Sequence, residues 1–260
     1  MEIPFSKYQG TGNDFIIIDN RQLKKIFPSD VIARWCHRRF GIGADGLMLL
    51  EEADGYDFSM VYFNSDGKQS TMCGNGGRCL AQFAKQLGIV SNTAKFVAID
   101  GPHDATFLQN EVQLQMIDVT TITSFGEDAV LNTGSPHYVT FREQVKDIDV
   151  FAEGRSIRQL SAFREEGINV NFVETLDDNL LYVRTYERGV EAETMSCGTG
   201  VVASALAHAK RYHAASPIHI ETPGGHLHVA FTVKEDGFSD IWLGGPATLS
   251  FEGKIADTTG

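Results

Sequence analysis

The feature that most constrains this chain is a stretch of sequence that occurs in two versions. TMCGNGGRCLAQFAKQLG surrounds Cys73, and TMSCGTGVVASALAHAKR surrounds Cys197 about 124 residues later. In each, Cys-Gly-x-Gly opens a run of small residues that becomes amphipathic further on, the pattern of a helix. Each follows a strand and an irregular stretch, VYFNSDGKQS in one case and RTYERGVEAE in the other. The frames agree upstream as well, since GTGNDF at 10–15 and TGSPHY at 133–138 precede their cysteines by about 61 and 63 residues. A period of this length means two similar domains, not a solenoid of short repeats. With 260 residues, each half has enough chain to bury its own core.

Short β-type runs dominate between the repeated motifs, among them 15–19, 47–51, 57–63, 95–100, 111–116, 168–173, 179–185 and 226–231. Helical patterns are fewer: 29–40, with Ser29 or Asp30 as N-cap, then 75–88, 156–163 and 199–213. Many strands with scattered helices read as α+β. The expected domains are 1–117 and 118–245, joined near 117–125, where IDVTTITSF is uncharged after Asp118 and rich in Thr. A strand at 248–255, within the tail 246–260, is expected to return to the first domain.

A formal charge of −12 argues against nucleic acid and anionic membrane as partners, because phosphate-rich surfaces are bound by basic clusters. No apolar run reaches the ~18 to 20 residues of a membrane span. The first residues, MEIPFSKYQGTGNDF, lack the basic start, apolar stretch and cleavage site of a secretory signal, which leads us to expect a cytoplasmic protein. Four cysteines are then thiols, available for nucleophilic, acid/base or metal chemistry. Zinc held by Cys36, His37, Cys73 and Cys79 is disfavoured, because the Cys73 to Cys79 spacing does not form a knuckle and no second Cys pair exists. Cys36 and Cys79 read as small buried hydrophobes.

Cys73 and Cys197 read differently, because each stands at a helix start. There the exposed N–H groups and the helix dipole favour a thiolate. Gly74, Gly76 and Gly77 in one half, and Gly198 and Gly200 in the other, are expected to leave the backbone bare for an approaching carboxylate. Inverting an amino acid's α-carbon requires a base on one face and an acid on the other, and a thiolate with a thiol supplies both. The same helix starts suit stabilisation of the enolate-like charge that forms on deprotonation.

At these residues the chain resembles the diaminopimelate epimerase family. The likeness runs nearly end to end through GTGNDFIIID, RRFGIGADGL, YFNSDG, MCGNGGRC, GSPH, NVNF, YERG and SCGTG. It implies two pseudo-symmetric domains, each a mixed sheet rolled around a central helix, with the active site in the inter-domain cleft. It also implies cofactor-independent interconversion of LL- and meso-diaminopimelate for lysine and peptidoglycan synthesis, by a homodimer. The resemblance makes Cys73 and Cys197 the acid/base pair, and places Gly74, Asn75, Gly198 and Thr199 at the substrate's α-carboxylate. Asn13, Asn64, Asn169 and Arg188 match substrate-contacting positions, while His137 and Glu187 match groups that orient the thiols or receive a proton.

The chain departs from the family in three places: Ser135 stands for a common Asn, one extra residue lies between Arg188 and Cys197, and Phe251 replaces a tyrosine that often supports the dimer. The competing readings are a proline or hydroxyproline racemase, which would carry MCGH where this chain has MCGN, and a phenazine-type isomerase, which lacks the Cys pair. From another class comes a non-catalytic thiol redox or binding protein.

Overall fold

The computed structural model describes residues 2–109 and 111–256. The chain runs through β1 (Glu2–Gly10), β2 (Asn13–Asp19), α1 (Ser29–Cys36), β3 (Gly46–Glu51), β4 (Phe58–Asn64), β5 (Gln69–Ser70), α2 (Gly74–Gln86), β6 (Thr93–Ala98), β7 (Gly101–Leu108) and β8 (Glu111–Met116). It continues through β9 (Ile122–Phe125), β10 (Asp128–Asn132), β11 (Pro136–Phe141), α3 (Val150–Arg158), β12 (Asn169–Asp177), β13 (Leu180–Glu187) and β14 (Ala192–Thr194). The last elements are α4 (Gly198–Tyr212), β15 (Ile218–Thr222), β16 (Gly225–Lys234), β17 (Gly237–Pro246) and β18 (Thr248–Ala256). Two compact units result: residues up to Leu114 together with those from Pro246 on, and Gln115–Gly245.

In the first unit the strands lie in the order β18-β1-β2-β3-β4-β6-β7-β8, with β2/β3 and β4/β6 parallel and the other neighbours antiparallel. The second repeats this as β9-β10-β11-β12-β13-β15-β16-β17, with β11/β12 and β13/β15 parallel. Each short strand before the second helix, β5 or β14, pairs with the end of β4 or β13. Helices bridge the parallel pairs in both units, so the duplication holds strand by strand.

The residues explain the layering. β2 and β3, FIII and LMLL, are buried on both faces, as parallel strands covered on two sides must be. Ile16, Ile18, Leu47 and Leu49 meet Ile32 and Trp35 of α1 on one side. In the second unit Val170, Phe172 and Tyr186 meet Val150 of α3, while Val139, Val173 and Val183 meet Val201, Val202 and Leu206 of α4. Every residue of α4 from Gly200 to Ala209 is buried, as a helix apolar on all sides requires. Each large aliphatic side chain buried this way contributes roughly 1.5–3 kcal/mol.

Three boundaries differ from the sequence expectation. α3 lies at Val150–Arg158 instead of 156–163, because Asp149 caps it by accepting the Ala152 N–H at 3.0 Å, and Arg158 then closes the following turns onto the Phe163 and Arg164 carbonyls. α1 stops at Cys36, where His37 turns extended and its Nδ1 accepts the Arg39 and Phe40 N–H groups. The N-cap of α1 is Pro28, with no side-chain cap bond, instead of Ser29 or Asp30. Among the described residues no helix is long and apolar enough to cross a membrane.

Candidate active site

Cys73 and Cys197 occupy the same position in their units: each is the N-cap residue, in extended conformation, of the helix the sheet wraps. Neither helix has a side-chain cap bond or an acidic residue in its first turn. α3, by contrast, satisfies its own start with Asp149. Helix starts left open in this way present N–H groups and positive potential to an anion.

In the first unit, the Cys73 thiol donates to Asn13 Oδ1 at 3.5 Å, and Asn75 Nδ2 donates to the same oxygen at 3.4 Å. Asn13 is oriented from behind, because its Nδ2 donates to the Asp45 carboxylate at 2.7 Å. Arg38 anchors that carboxylate at 2.6 Å and forks onto Asp14 at 2.7 and 3.0 Å. Lys7 pairs with Asp14 as well and donates to the Gly43 carbonyl at 2.6 Å. Burial pushes the Asp14 carboxyl up, but hydrogen bonds and attraction from Arg38 and Lys7 outweigh it and hold the pKa at about 2. Thus RRFGIGADG builds an ionic brace whose end product is the orientation of one carboxamide, Asn13.

In the second unit the support is a neutral chain of donors. Asn171 Nδ2 donates to His137 Nδ1 at 3.1 Å, His137 Nε2 lies 2.9 Å from Thr199 Oγ1, and Thr199 Oγ1 lies 3.6 Å from Cys197 Sγ. Asn171 Oδ1 accepts from Thr185 Oγ1 at 3.0 Å, which fixes the amide and hence the histidine tautomer. With Nδ1 accepting, Nε2 carries the proton and donates to Thr199, whose own hydrogen is then available to the sulfur. His137 is completely buried; desolvation first, and the nearby Arg188 charge second, lower its pKa to about 3. It is therefore neutral at physiological pH and acts as a donor. Of the two roles expected of it, orienting the thiol fits this state and receiving a proton does not.

The other expected residues divide clearly. Ser135 Oγ accepts from Asn169 Nδ2 at 2.8 Å, and Asn169 also holds the Pro136 carbonyl and the Arg188 N–H, so Asn169 braces the loop on which Ser135 and Arg188 sit. The Arg188 side chain is exposed, passes over Gly167 and donates to the Glu166 carbonyl at 3.1 Å. Glu187 accepts from Thr194 Oγ1 at 2.9 Å at the end of β13. Asn64, at the equivalent end of β4, is exposed and pairs across the ladder with Gly46. Gly74 and Gly198 are the first residues of the two helices.

Three glycines are corrected. A Cβ at Gly76 would stand 2.4 Å from Met48 Cε, one at Gly77 3.1 Å from Met72 Sδ, and one at Gly200 2.3 Å from Asn171 Oδ1. These positions are bare because each helix lies close to side chains beneath and beside it. Cys36 and Cys79 are inert, since burial pushes each thiol up to about 12. Among the described residues no cluster of three His, Cys, Asp or Glu side chains is placed to hold a metal ion. A recess of about 520 Å³ lined by Lys210, His213, Lys234 and Phe238 lies at the far end of α4 from Cys197 and holds none of these residues.

Sequence reasoning missed Arg78, Asn171, Thr185 and Asp45. Arg78 had a signal, as the one charged residue in the first two turns of α2. Asn171 did too, being a polar residue inside the buried run INVNF.

A duplicated mixed sheet wrapped around a helix belongs to a fold class with solved members. The chain aligns with the Bacillus anthracis phenazine biosynthesis protein of the PhzF family at TM-score 0.74 and 13% identity, covering 99% of this chain and 100% of that one. A hydroxyproline epimerase from Agrobacterium vitis aligns at TM-score 0.69 and 13% identity, over 100% and 94% of the two chains. Sequence is more specific. The diaminopimelate epimerase family profile matches residues 5–121 and 129–249. Diaminopimelate epimerases from Flavobacterium psychrophilum (50% identical, 96% of this chain and 98% of the relative) and Chlorobaculum tepidum (39% identical, 95% and 98%) align over nearly their whole length. The chain belongs to the diaminopimelate epimerase family.

Proposed function

We propose that this protein interconverts LL- and meso-diaminopimelate without a cofactor, with Cys73 and Cys197 as the two acid/base groups. The observation that carries this reading is the matched pair of helix starts, each with a cysteine in extended conformation at the N-cap. Membership of the family supports the substrate, and with it a role in making lysine and peptidoglycan precursors.

In the mechanism, one cysteine as thiolate removes the α-proton while the other, as thiol, delivers a proton to the opposite face. The roles exchange for the reverse direction. The N–H groups at Gly74, Asn75, Gly198 and Thr199 bind the α-carboxylate and stabilise the charge that develops on it. At the second thiol, the chain from Asn171 through His137 to Thr199 directs a hydroxyl at the sulfur, which favours the thiolate. At the first, Asn13 Oδ1 accepts the Cys73 S–H and so favours the thiol. Arg188, Asn64 and Ser135 are assigned to the substrate's distal polar groups, Asn169 to bracing them, and Glu187 to the ammonium group or a passing proton. Ser135 accepts from Asn169, so its hydrogen is directed elsewhere and a hydroxyl does the work of the amide common in the family.

Reduced thiols fit a cytoplasmic setting. We also assign a homodimer, through the exposed Phe251 face of β18; sedimentation equilibrium reports the mass directly. The decisive experiment incubates the purified protein with LL-diaminopimelate in deuterium oxide, without added cofactor, and follows isomer ratio and α-label together. Both change if the assignment holds. Absence of label, or equal turnover of L-proline, overturns it.

A further inference from the structure

Arg78 is fully buried on the first turns of α2, and among the described residues none of its hydrogen-bond partners is a carboxylate. Its Nη2 donates to Asn75 Oδ1 at 2.9 Å and to Thr11 Oγ1 at 3.4 Å, Nη1 to the Gly74 carbonyl at 3.4 Å, and Nε to the Pro246 carbonyl at 3.5 Å. Burying a guanidinium on neutral acceptors alone is costly, and a packed apolar residue would fill the space at lower cost. The second unit shows this alternative: at the same distance from its cysteine stands Val202, buried in the apolar core.

What the first unit obtains from the arginine follows from donor chemistry. Arginine only donates, so Nη2 fixes the Asn75 carboxamide with its oxygen inward. Thr11 Oγ1 donates to the same oxygen at 3.4 Å and reinforces the choice. The NH2 group must then face the helix mouth, where it reaches Asn13 Oδ1, the oxygen that also accepts the Cys73 thiol. The ionisable groups that feel the Arg78 charge are Cys79, Cys73 and Glu111. Cys79 is held protonated by burial, which leaves Cys73 as the thiol on which that charge bears at the helix mouth.

We propose that Arg78 is the positioning residue of the Cys73 half-site: it clamps Asn75 so that an amide donor faces the helix mouth, and it supplies there a buried positive charge where the Cys197 half has Val202. This rests on the proposed function only for its catalytic consequence, because the state of the Cys73 thiol can be read without substrate.

The first test follows iodoacetamide alkylation of Cys73 against pH in a Cys197→Ser background. Replacing Arg78 by Met shifts that profile upward by about one pH unit, whereas Arg78→Lys, which keeps the charge, leaves it within a few tenths. The second test is a double-mutant cycle on epimerisation. Arg78→Met and Arg78→Lys each lower kcat/KM about tenfold or more, and for Arg78→Lys, which keeps the charge, the loss shrinks to less than twofold when Asn75 is already Ala, because the clamp then has nothing to hold. Unchanged alkylation in Arg78→Met overturns the charge assignment. A loss of kcat/KM that persists undiminished in Asn75→Ala overturns the clamp. If Arg78→Met does not fold, Arg78→Lys with Asn75→Ala completes the cycle, and Lys carrying full kcat/KM refutes the clamp. A wild-type protein that does not epimerise diaminopimelate removes the proposed function, while the alkylation profile still decides on Arg78.

Discussion

The Cys73 and Cys197 half-sites come from the same succession of strands and helices, yet they are built from opposite materials. Under the start of α2 lie Phe15 and Met48; the equivalent places under α4 are taken by His137 and Asn171. The first unit puts its polarity on the helix itself and on a peripheral brace, through Arg78 and through Arg38, Asp45 and Lys7. The second puts it beneath the helix as a neutral relay, and gives the Arg78 position to Val202. A duplicated scaffold thus fixes where two thiols stand while leaving open how each is tuned. The tuning is asymmetric: an acceptor faces Cys73, and a hydroxyl faces Cys197. A reaction that needs one thiol and one thiolate is served by that inequality.

The comparison breaks most visibly if the thiols are not equivalent in necessity. Cys73→Ala and Cys197→Ala should each slow α-deuterium exchange by about 10²–10⁴-fold, measured by proton NMR, and a variant that keeps its activity would show that only one half does chemistry. Next in size is His137→Phe, which gives the second half the first half's packing. It should lower kcat by roughly 10–100-fold through loss of the donor chain, while alkylation of Cys73 stays unchanged. Loss of reactivity at both thiols would mean that the halves are not tuned separately.

The same substitution sharpens the contrast through pH. His137 is neutral in the fold, with a pKa of about 3 against 6.5 when exposed, so the unfolded state binds the extra proton. Stability is fully present above pH 6.5 and falls by up to about 1.4 kcal/mol per pH unit between there and about 3. The Asp14 brace in the other half is lost only below the ordinary carboxylate range, as pH falls toward about 2. Urea unfolding from pH 8 to 4 should therefore show a slope that His137→Phe flattens and Asp14→Asn does not. The smallest effects are expected at Cys36→Ala and Cys79→Ala. Each should retain activity within about twofold and lose roughly 1–2 kcal/mol of stability, measured by thermal melts.

Much of this architecture was legible in the sequence because it rests on local chemistry. Cys-Gly-x-Gly ahead of small residues specifies an uncapped helix start, and two copies specify a duplicated fold. The apolar runs at 15–19 and 47–51 were legible as strands. What stayed hidden depends on partners distant in sequence. Asp45 matters because it meets Asn13, and Asn171 matters because strand pairing sets Val170 opposite Tyr138 and so brings Asn171 beside His137. Arg78 was missed, since its total burial is decided by Thr11 and Pro246, far away along the chain. The position of α3 was misjudged because Asp149, an acid among several in that stretch, gave no sign that it was the cap.

The first unit is a ring closed by its far end: β18 zips along β1 from Glu2 to Gln9, and Pro246 receives Arg78. The second unit is one unbroken stretch and can finish folding as soon as Gly245 has left the ribosome. The first must hold β1 in waiting until the chain has been made as far as β18. A chain made past Gly245 but not yet as far as β18 has one finished half and one open one, so the reactive sulfur encoded first is the last to be housed.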